Sequence, residues 1–266
     1  KKRAMVLVKN FEIHALDSWQ VLGTVEPVER PLVAAVSSDL TLVAYVGAGS
    51  GRLFVTETKT GKTIFSFEGF YADYATPIPV IPAAMSFSSD NTNIAVFTAS
   101  GLLKWANLTS KSITTRSPLE LAETEMTGFK TGTHELIFGS HDGRWILYDL
   151  DAQKTTRVVH LAPGDVGSDH DFEYAVVRDA QGRHTLYRYD AAGDAAIKIA
   201  DLGIPRGGFT DNGWQIVSIE ISPARDKMIV SSGVVFAVDL KTRKLIDLNL
   251  VERVTRYVYN AVGLSD

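Results

Sequence analysis

The sequence predicts an all-β protein, a six-bladed β-propeller of four-stranded antiparallel blades that is closed by pairing of the C-terminal strand with the N-terminal blade. Three observations predict this fold. A phrase recurs along the 266 residues, each copy holds short apolar runs separated by polar turns, and the two chain ends together complete one copy. Sustained helical periodicity is absent, and the best helical candidate, residues 117–126, is interpreted as a loop between blades.

The recurring phrase is a glycine turn followed by an apolar or aromatic strand that ends near an Asp or Asn. Its clearest copy runs from Gly143 to Asp149. The residues that open the copies are separated by 41, 50, 42, 39 and 51 positions, a spacing typical of propeller repeats. These opening residues are Asn10, Gly51, Gly101, Gly143, Gly182 and Gly233.

Each copy has the same internal order, which is clear in the second one. Apolar runs at 33–36 and 42–46 flank a polar turn, and the glycine phrase and a last run at 63–67 follow. Four short strands joined by such turns make one antiparallel blade. Gly or Asn at the opening position allows the positive φ that a tight hairpin turn requires. The Asp or Asn that ends the third strand, such as Asp149, is expected to accept hydrogen bonds from the next turn.

The chain ends predict how the ring closes. Residues 257–266 match a first strand with its Ser-Asp turn, and residues 1–10 match a second strand with its turn. Joined head to tail they complete one blade, which covers strand edges that an open sheet would expose. The missing initiating Met is compatible with a larger polypeptide. The predicted blades of this single domain, 1–266, are 255–266 with 1–27, 31–69, 80–117, 124–160, 164–202 and 214–250.

The segment from Ser140 to Leu150 resembles the phrase of the WD-repeat propellers, in which a Gly turn precedes an aromatic-rich strand that ends in Asp. The resemblance covers the whole chain in architecture. It implies a non-catalytic platform for a protein or peptide partner. The copies carry neither the Gly-His pair near a blade start nor a final Trp-Asp, so the His-Asp-Ser/Thr-Trp network of that family is not transferred to these residues.

Two connections between blades, 69–82 and 203–214, are longer than the others and account for the two longest separations. They are predicted to lie on one face, and long loops on a rigid scaffold commonly carry binding residues. Aromatic and Arg side chains of the kinds favoured in interfaces occur in both. The alternative is that these aromatics fold back and seal the loops onto the blades. The candidate partner-binding residues are Phe70, Tyr71, Tyr74, Arg206, Phe209 and Trp214.

Composition excludes several function classes. The formal net charge of −4 and pI of about 5.9 give no basic face, so no nucleic-acid partner is predicted. The chain has no Cys, which excludes disulfides and thiolate metal sites and is compatible with cytoplasm or periplasm. No apolar run approaches the roughly 18 residues of a membrane helix. A soluble protein without a membrane span is therefore predicted.

Candidate chemistry is sparse, and no cofactor or catalytic residue is predicted. Asp165, Asp169 and Asp171 offer oxygen ligands for a hard cation, but a solvated turn is the simpler interpretation. The segment Gly47–Arg52 looks like a phosphate-cradling loop, yet a strand follows it where a phosphate loop would continue into a helix. It is interpreted as a hairpin turn. The alternative function is an enzyme or a protein that binds a small molecule or ion in the central channel.

Overall fold

The computed structural model describes residues 4–7, 12–15, 21–70, 82–98, 100–204, 218–222, 224–231 and 235–246. These residues form strands almost exclusively, together with one 3-10 turn at Leu119–Leu121 inside the predicted loop 117–126. Among them no helix has the length and hydropathy that crossing a membrane requires. The all-β prediction is confirmed.

The chain divides into two compact units that meet in sequence between His134 and Glu135. The strands of the first unit are β1 Ala4–Leu7, β2 Glu12–Ala15, β3 Val21–Thr24, β4 Pro31–Val36, β5 Leu42–Gly47, β6 Leu53–Glu57, β7 Thr63–Phe67, β8 Pro82–Phe87, β9 Asn93–Thr98, β10 Leu103–Asn107, β11 Ser112–Arg116 and β12 Thr124–Phe129. Those of the second unit are β13 Glu135–Ser140, β14 Arg144–Asp149, β15 Lys154–His160, β16 Asp165–Ser168, β17 Tyr174–Arg178, β18 His184–Asp190, β19 Ala195–Gly203, β20 Ser218–Ile221, β21 Lys227–Ser231, β22 Val235–Asp239 and β23 Lys244–Ile246.

The described strands form five sheets. Their orders are β1-β2-β3, β4-β5-β6-β7, β11-β10-β9-β8, β12-β13-β14-β15 and an eight-stranded sheet, β19-β18-β17-β16-β20-β21-β22-β23. Wherever the register is described, neighbouring strands that are consecutive along the chain pair antiparallel, as the turn pattern predicts. In the eight-stranded sheet the consecutive strands β19 and β20 are not neighbours, and β20 lies beside β16 through a single parallel pair, Ser168 with Ser218.

The core of each unit lies on the second and third strands of its sheets. In the first unit, every side chain of β9 is buried, whereas β11 at the edge of the same sheet has none that is buried. In the second unit, β14 buries Trp145, whose ring lies 4.0 Å from that of Phe172. The apolar runs of the sequence therefore form the cores, and the mixed last strands face solvent.

The turn chemistry predicted from the sequence is present. The opening residues Gly51, Gly101, Gly143 and Gly182 have φ values of 64°, 80°, 87° and 76°, each between the second and third strand of its sheet. The Asp149 carboxylate accepts hydrogen bonds from the backbone N–H of the two residues that open the next turn, at 2.8 and 2.9 Å. Asn10, Gly233 and the closing segment 255–266 lie outside the described residues.

Candidate functional site

The edge of the second unit at which the hairpin turns 141–143 and 179–183 lie is here termed the loop edge. Because neighbouring strands run antiparallel, the end of β17 and the start of β18 lie at the same edge as the start of β16 and the end of β19. The link 161–164 reaches this edge as well. Turns and links therefore gather on one side, as the predicted blade topology requires.

The carboxylate of Asp165 contacts side chains from two other segments at the loop edge. His141 Nδ1 hydrogen-bonds Asp165 Oδ1, and Arg178 Nη1 lies 3.6 Å from the other oxygen of Asp165. The backbone N–H of Gly164 donates to the carbonyl oxygen of His141 at 3.1 Å, which holds the link against the 141–143 turn. The two oxygens of Asp165 are thus used to join neighbouring segments of protein.

The backbone at the loop edge is packed too closely for side chains. A Cβ on Gly139 would overlap the carbonyl oxygen of Val166. A Cβ on Gly143 would overlap the carbonyl oxygen of Ala162, and one on Gly164 would overlap that of Arg178. Glycine is the residue type that such an approach of backbone to backbone requires. The backbone segments beneath these turns, here termed the platform, are consequently in direct contact with one another.

Beside this platform lies an open groove of about 390 Å³, here termed the charged groove. Two ion pairs form its rim, one between Arg183 Nε and Asp179 Oδ2 and one between Lys198 Nζ and Asp201 Oδ1, each at 2.7 Å. The side chains of Arg183 and Lys198 are 62% and 52% exposed, so both cations are accessible to solvent. The groove is lined by Asp179, Arg183, His184, Thr185, Lys198, Asp201 and Gly203.

Electrostatics differ between the floor and the rim of the charged groove. Burial lowers the pKa of His184 to about 4, with Arg178 adding to the effect, so this ring is neutral at physiological pH. It packs edge-on against Phe236 with ring centroids 5.0 Å apart. Burial alone would raise the pKa of Asp179, but hydrogen bonds from Arg183 hold it below its usual value. A neutral floor therefore lies under a permanently charged rim.

The structure describes one of the six predicted partner-binding residues. Phe70 is fully buried in the core of the first unit, and its N–H donates to the carbonyl oxygen of Gly51 at 3.1 Å. This placement agrees with the alternative in which aromatics seal the link onto the blade. The other candidates lie outside the described residues, namely Tyr71, Tyr74, Arg206, Phe209 and Trp214. Their role in binding stays a prediction.

The candidate metal ligands do not converge. Asp165 begins β16 and Asp169 follows its end, and four residues of extended strand separate them by roughly 13 Å. Asp171 accepts a hydrogen bond from Arg225 Nη1 at 2.8 Å. In the part of the chain that the structure describes, no group of three or more His, Asp or Glu side chains is arranged to hold a metal ion.

The 140–145 turn contains a small polar network around the carboxylate of Asp142. Ser140 Oγ donates to the Asp142 carboxylate, and Arg144 Nε donates to both oxygens of the same carboxylate at 2.9 Å. Trp145 is buried, and its Nε1 has no hydrogen-bond partner among the described residues. An arginine thus engages the turn Asp, a contact that the sequence analysis did not predict.

Sequence reasoning missed the residues of the charged groove. Asp179 and Arg183 flank the Gly182 turn that the repeat identified, whereas Lys198 and Asp201 lie on the last strand of the same sheet. The sequence feature that could have indicated the groove is the presence of charged residues, Asp179 and Arg183, on both sides of the Gly182 turn. The groove begins next to Gly203, the first residue of the second long link predicted to bind a partner.

Comparison with known proteins identifies the fold through solved structures. The chain resembles the structure of U3-55K and that of the RRP9 WD40 repeats, in each case with 16% identity, a TM-score of 0.54, and coverage of 81% of this chain and 62% of that chain. It also resembles the Cps50 (Swd1) β-propeller domain of Myceliophteria thermophila, with 11% identity, a TM-score of 0.64, and coverage of 92% and 81%. The fold is a WD-repeat-like β-propeller.

This propeller matches no known family model and no curated protein sequence. It spans less than two thirds of the length of the first two solved structures. At these identities the likeness shows the fold alone, so the predicted resemblance to WD-repeat propellers is confirmed at the level of architecture.

Proposed function

We propose that this propeller is a non-catalytic interaction platform that presents its loop edge to a protein or peptide partner. The observation that carries the proposal is the charged groove, which is open to solvent and has exposed charges of both signs at its rim. Complementary charges across an interface favour the correct partner and speed its association. The closely packed glycines beneath the turns supply the rigid support that binding loops need.

The alternative, an enzyme or an ion-binding propeller, would require reactive or ligating side chains that converge on one point. The three carboxylates considered as ligands are spread over both ends of β16. Two of them, Asp165 and Asp171, are engaged by cationic side chains. These placements favour the platform.

We also propose six blades with closure inside the first. The eight-stranded sheet divides at the single Ser168–Ser218 pair into two antiparallel sets of four strands, which with the other four sheets makes six sets. The sheet β1-β2-β3 has three strands in the described residues. On this proposal its fourth strand comes from residues 255–266.

The platform is tested by reversing charge at the groove. The double variant Arg183→Glu with Lys198→Glu places two anions where the rim has two cations, and both side chains are exposed, so the melting temperature should change little. Partners are captured on immobilised chain and measured by quantitative mass spectrometry. We expect the main partner to bind the variant at least about 10-fold more weakly, a loss of about 1.4 kcal/mol.

The matched control reverses two exposed lysines away from the groove, Lys154→Glu with Lys244→Glu, each at the start of a last strand. It changes net charge by the same amount as the groove variant. The control should keep the partners of the unmodified chain. Equal capture by all three chains would contradict the proposal.

A further inference from the structure

The hairpin turn between β5 and β6 in the first unit binds a carboxylate of its own chain. Glu29 Oε2 accepts a hydrogen bond from the backbone N–H of Gly49 at 3.0 Å and another from that of Ser50 at 2.8 Å. The hydroxyl and amide of Ser50 hold the pKa of Glu29 below its usual value, and Arg52 adds to the effect. Successive amides that point at one anion form a backbone nest. The segment Gly47–Arg52, which superficially resembles a phosphate loop, is therefore an anion cradle of another kind.

This turn differs from its counterparts in the source of its hydrogen-bond acceptor. In the β9–β10 turn, Thr98 Oγ1 at the end of the second strand accepts from the N–H of Leu102 at 3.0 Å. In the β13–β14 turn, Ser140 Oγ accepts from the N–H of Arg144 at 2.7 Å. The corresponding residue here is Gly47, which has no side chain, and the equivalent N–H, that of Arg52, donates instead to Ser50 Oγ at 3.2 Å. The two preceding amides, those of Gly49 and Ser50, donate to Glu29, which lies outside the turn.

The glycines make room for that external acceptor. A Cβ on Gly47 would collide with the Glu29 carboxylate, and one on Gly49 would lie 3.2 Å from Glu29 Oε2. Gly51 closes the turn at a φ of 64°, with its N–H 3.0 Å from the carbonyl oxygen of Gly47. The cradle is thus shaped around a carboxylate that no residue of the turn itself provides.

The Glu29 side chain can leave the cradle without moving the backbone. The link that carries it is fixed on both sides, because the N–H of Val28 donates to Tyr45 Oη and the N–H of Ala48 donates to the carbonyl oxygen of Arg30, each at 2.8 Å. Val28 is 68% exposed, so the link lies at the surface. A change of side-chain rotamer is then sufficient to free the two amides.

We infer that this cradle is a binding site for an acidic side chain of the protein partner and that Glu29 occupies it as an intramolecular competitor. The inference rests on the proposed platform function and names the chemistry of one contact. Arg52 stands beside the cradle with 45% of its side chain exposed and pairs with Glu68, which is 78% exposed. An incoming carboxylate therefore meets two free amides and one guanidinium, the donors that a carboxylate uses best.

The observations favour a carboxylate over a phosphate. Both amides are directed at a single oxygen, and the neighbouring Arg52 is shared with Glu68. A phosphate dianion would bring three acceptor oxygens and more negative charge to a site that already contains this second carboxylate. One carboxylate in exchange for another keeps the local charge unchanged.

The test follows the amide resonances of Gly49 and Ser50 by ¹⁵N nuclear magnetic resonance in the full chain. The probe is a capped Gly-Glu-Gly peptide, and the capped Gly-Gln-Gly peptide is its neutral counterpart. In Glu29→Ala, the Glu peptide should shift both amides saturably with an apparent affinity at least about 10-fold above that of the unmodified chain. The Gln peptide should leave both unshifted.

The control variant is Glu57→Ala, which removes a carboxylate from the β6–β7 turn, where it accepts a hydrogen bond from Thr60 Oγ1 at 2.6 Å. It should respond like the unmodified chain. Glu29→Gln keeps the side-chain length but lacks the charge, and it serves as a second variant in case Glu29→Ala disturbs the turn itself. Its apparent affinity for the Glu peptide should also increase, but by less. Absence of a Glu-specific shift in both Glu29 variants would overturn the inference.

Failure here is distinguishable from failure of the platform. If the Arg183 and Lys198 reversals abolish partner capture while the Glu peptide leaves the Gly49 and Ser50 amide resonances unshifted, the proposed platform is supported and the proposed binding site in the cradle is refuted. If capture is insensitive to those reversals, the platform itself is refuted, whatever the peptide does to the cradle.

Discussion

At the scale of single residues, Asp169 departs from a pattern that three other turns between first and second strands share. The backbone N–H of Ser37, Ser88 and Ser222 donates to the carbonyl oxygen five residues later, in each case at 2.9 Å. Asp169 makes the same contact with Tyr174 at 3.1 Å. A carboxyl group thus stands where three equivalent turns have a hydroxyl.

The consequence is a buried acid with an unfavourable charge. Asp169 Oδ1 accepts from the N–H groups of Glu173 and Tyr174 at 2.8 and 2.9 Å, while Oδ2 has no hydrogen-bond partner among the described residues. Burial, together with the neighbouring Asp171 and Glu173, raises the pKa of Asp169 to about 6, although the two backbone hydrogen bonds and the nearby Arg225 act in the opposite direction. Because the folded-state pKa is raised, the stability that this group contributes is present below pH 3.8 and is lost as pH rises through about 6.

We therefore predict that Asp169→Ser stabilises the protein at neutral pH. The substitution restores the residue of the equivalent turns and removes a buried charge whose cost at pH 7 is on the order of 3 kcal/mol at most. Thermal unfolding followed by circular dichroism between pH 4 and 8 checks this. The gain should be largest near pH 7.5 and should vanish near pH 4. A lower melting temperature for the variant at pH 7.5 would show that the carboxylate is needed in the fold.

At the scale of elements, the turns between second and third strands have one backbone geometry and two kinds of surroundings. Gly143 and Gly182 occupy the same place in their hairpins with φ values of 87° and 76°. A Cβ on Gly143 would overlap the carbonyl oxygen of Ala162, whereas a Cβ on Gly182 would have no atom within 4 Å. Substitutions at these two glycines therefore separate the free-energy cost of a positive φ from that of steric overlap with neighbouring backbone.

Substitution of each glycine by Ala should show that difference. Gly182→Ala should lower the free energy of unfolding by about 1–2 kcal/mol, the cost of the left-handed conformation alone. Gly143→Ala has the same conformational cost and must also displace the 161–164 link, so we expect its free energy of unfolding to fall by at least about 3 kcal/mol. Urea unfolding of both variants measures the two free energies of unfolding. Equal losses would mean that the link yields to the added methyl group without cost.

The hairpins were predictable from the sequence, whereas the binding groove was not. Gly51, Gly101 and Gly182 mark turns because a positive φ selects glycine locally, and Asp149 caps the next turn through contacts within three residues. These are effects of short range. The groove instead depends on β18 and β19 lying side by side, which brings Arg183 close to Lys198. No periodicity in the sequence records such a pairing of side chains.

The anion cradle, too, was only partly predictable from the sequence. Its glycine-rich turn was visible in the sequence, and the strand after it correctly excluded a phosphate loop that opens a helix. The acceptor, Glu29, lies 20 residues before Gly49, and nothing in the composition of the link distinguishes it from an ordinary exposed acid. Only the fold joins the two.

At the scale of the whole molecule, the proposed closure makes a specific prediction about β1. Alternate amides of a strand face opposite neighbours, and β2 pairs with one side of Ala4–Leu7. If residues 255–266 supply the fourth strand, both sets of amides in β1 are protected from hydrogen exchange. Deletion of 255–266 should lower the melting temperature and expose the set that faces away from β2.

The control for this deletion is a chain in which residues 255–266 are scrambled, so that length and composition are kept. It should behave like the deletion, since strand pairing depends on the order of apolar residues. Amides of β4–β7 should remain protected in both chains. Unchanged protection of β1 in all three chains would rule out closure by this segment.

The pairing of each strand with its successor along the chain also has a kinetic consequence. Nearly all hydrogen bonds in these sheets join residues separated by one short turn, so a hairpin can form as soon as its own two strands have left the ribosome. The sheets would then be completed in the order of translation, each nucleating on a turn that is already in place. On the proposed closure, the first of these sheets to begin folding is the last to finish, because residues 255–266 follow all the other strands along the chain.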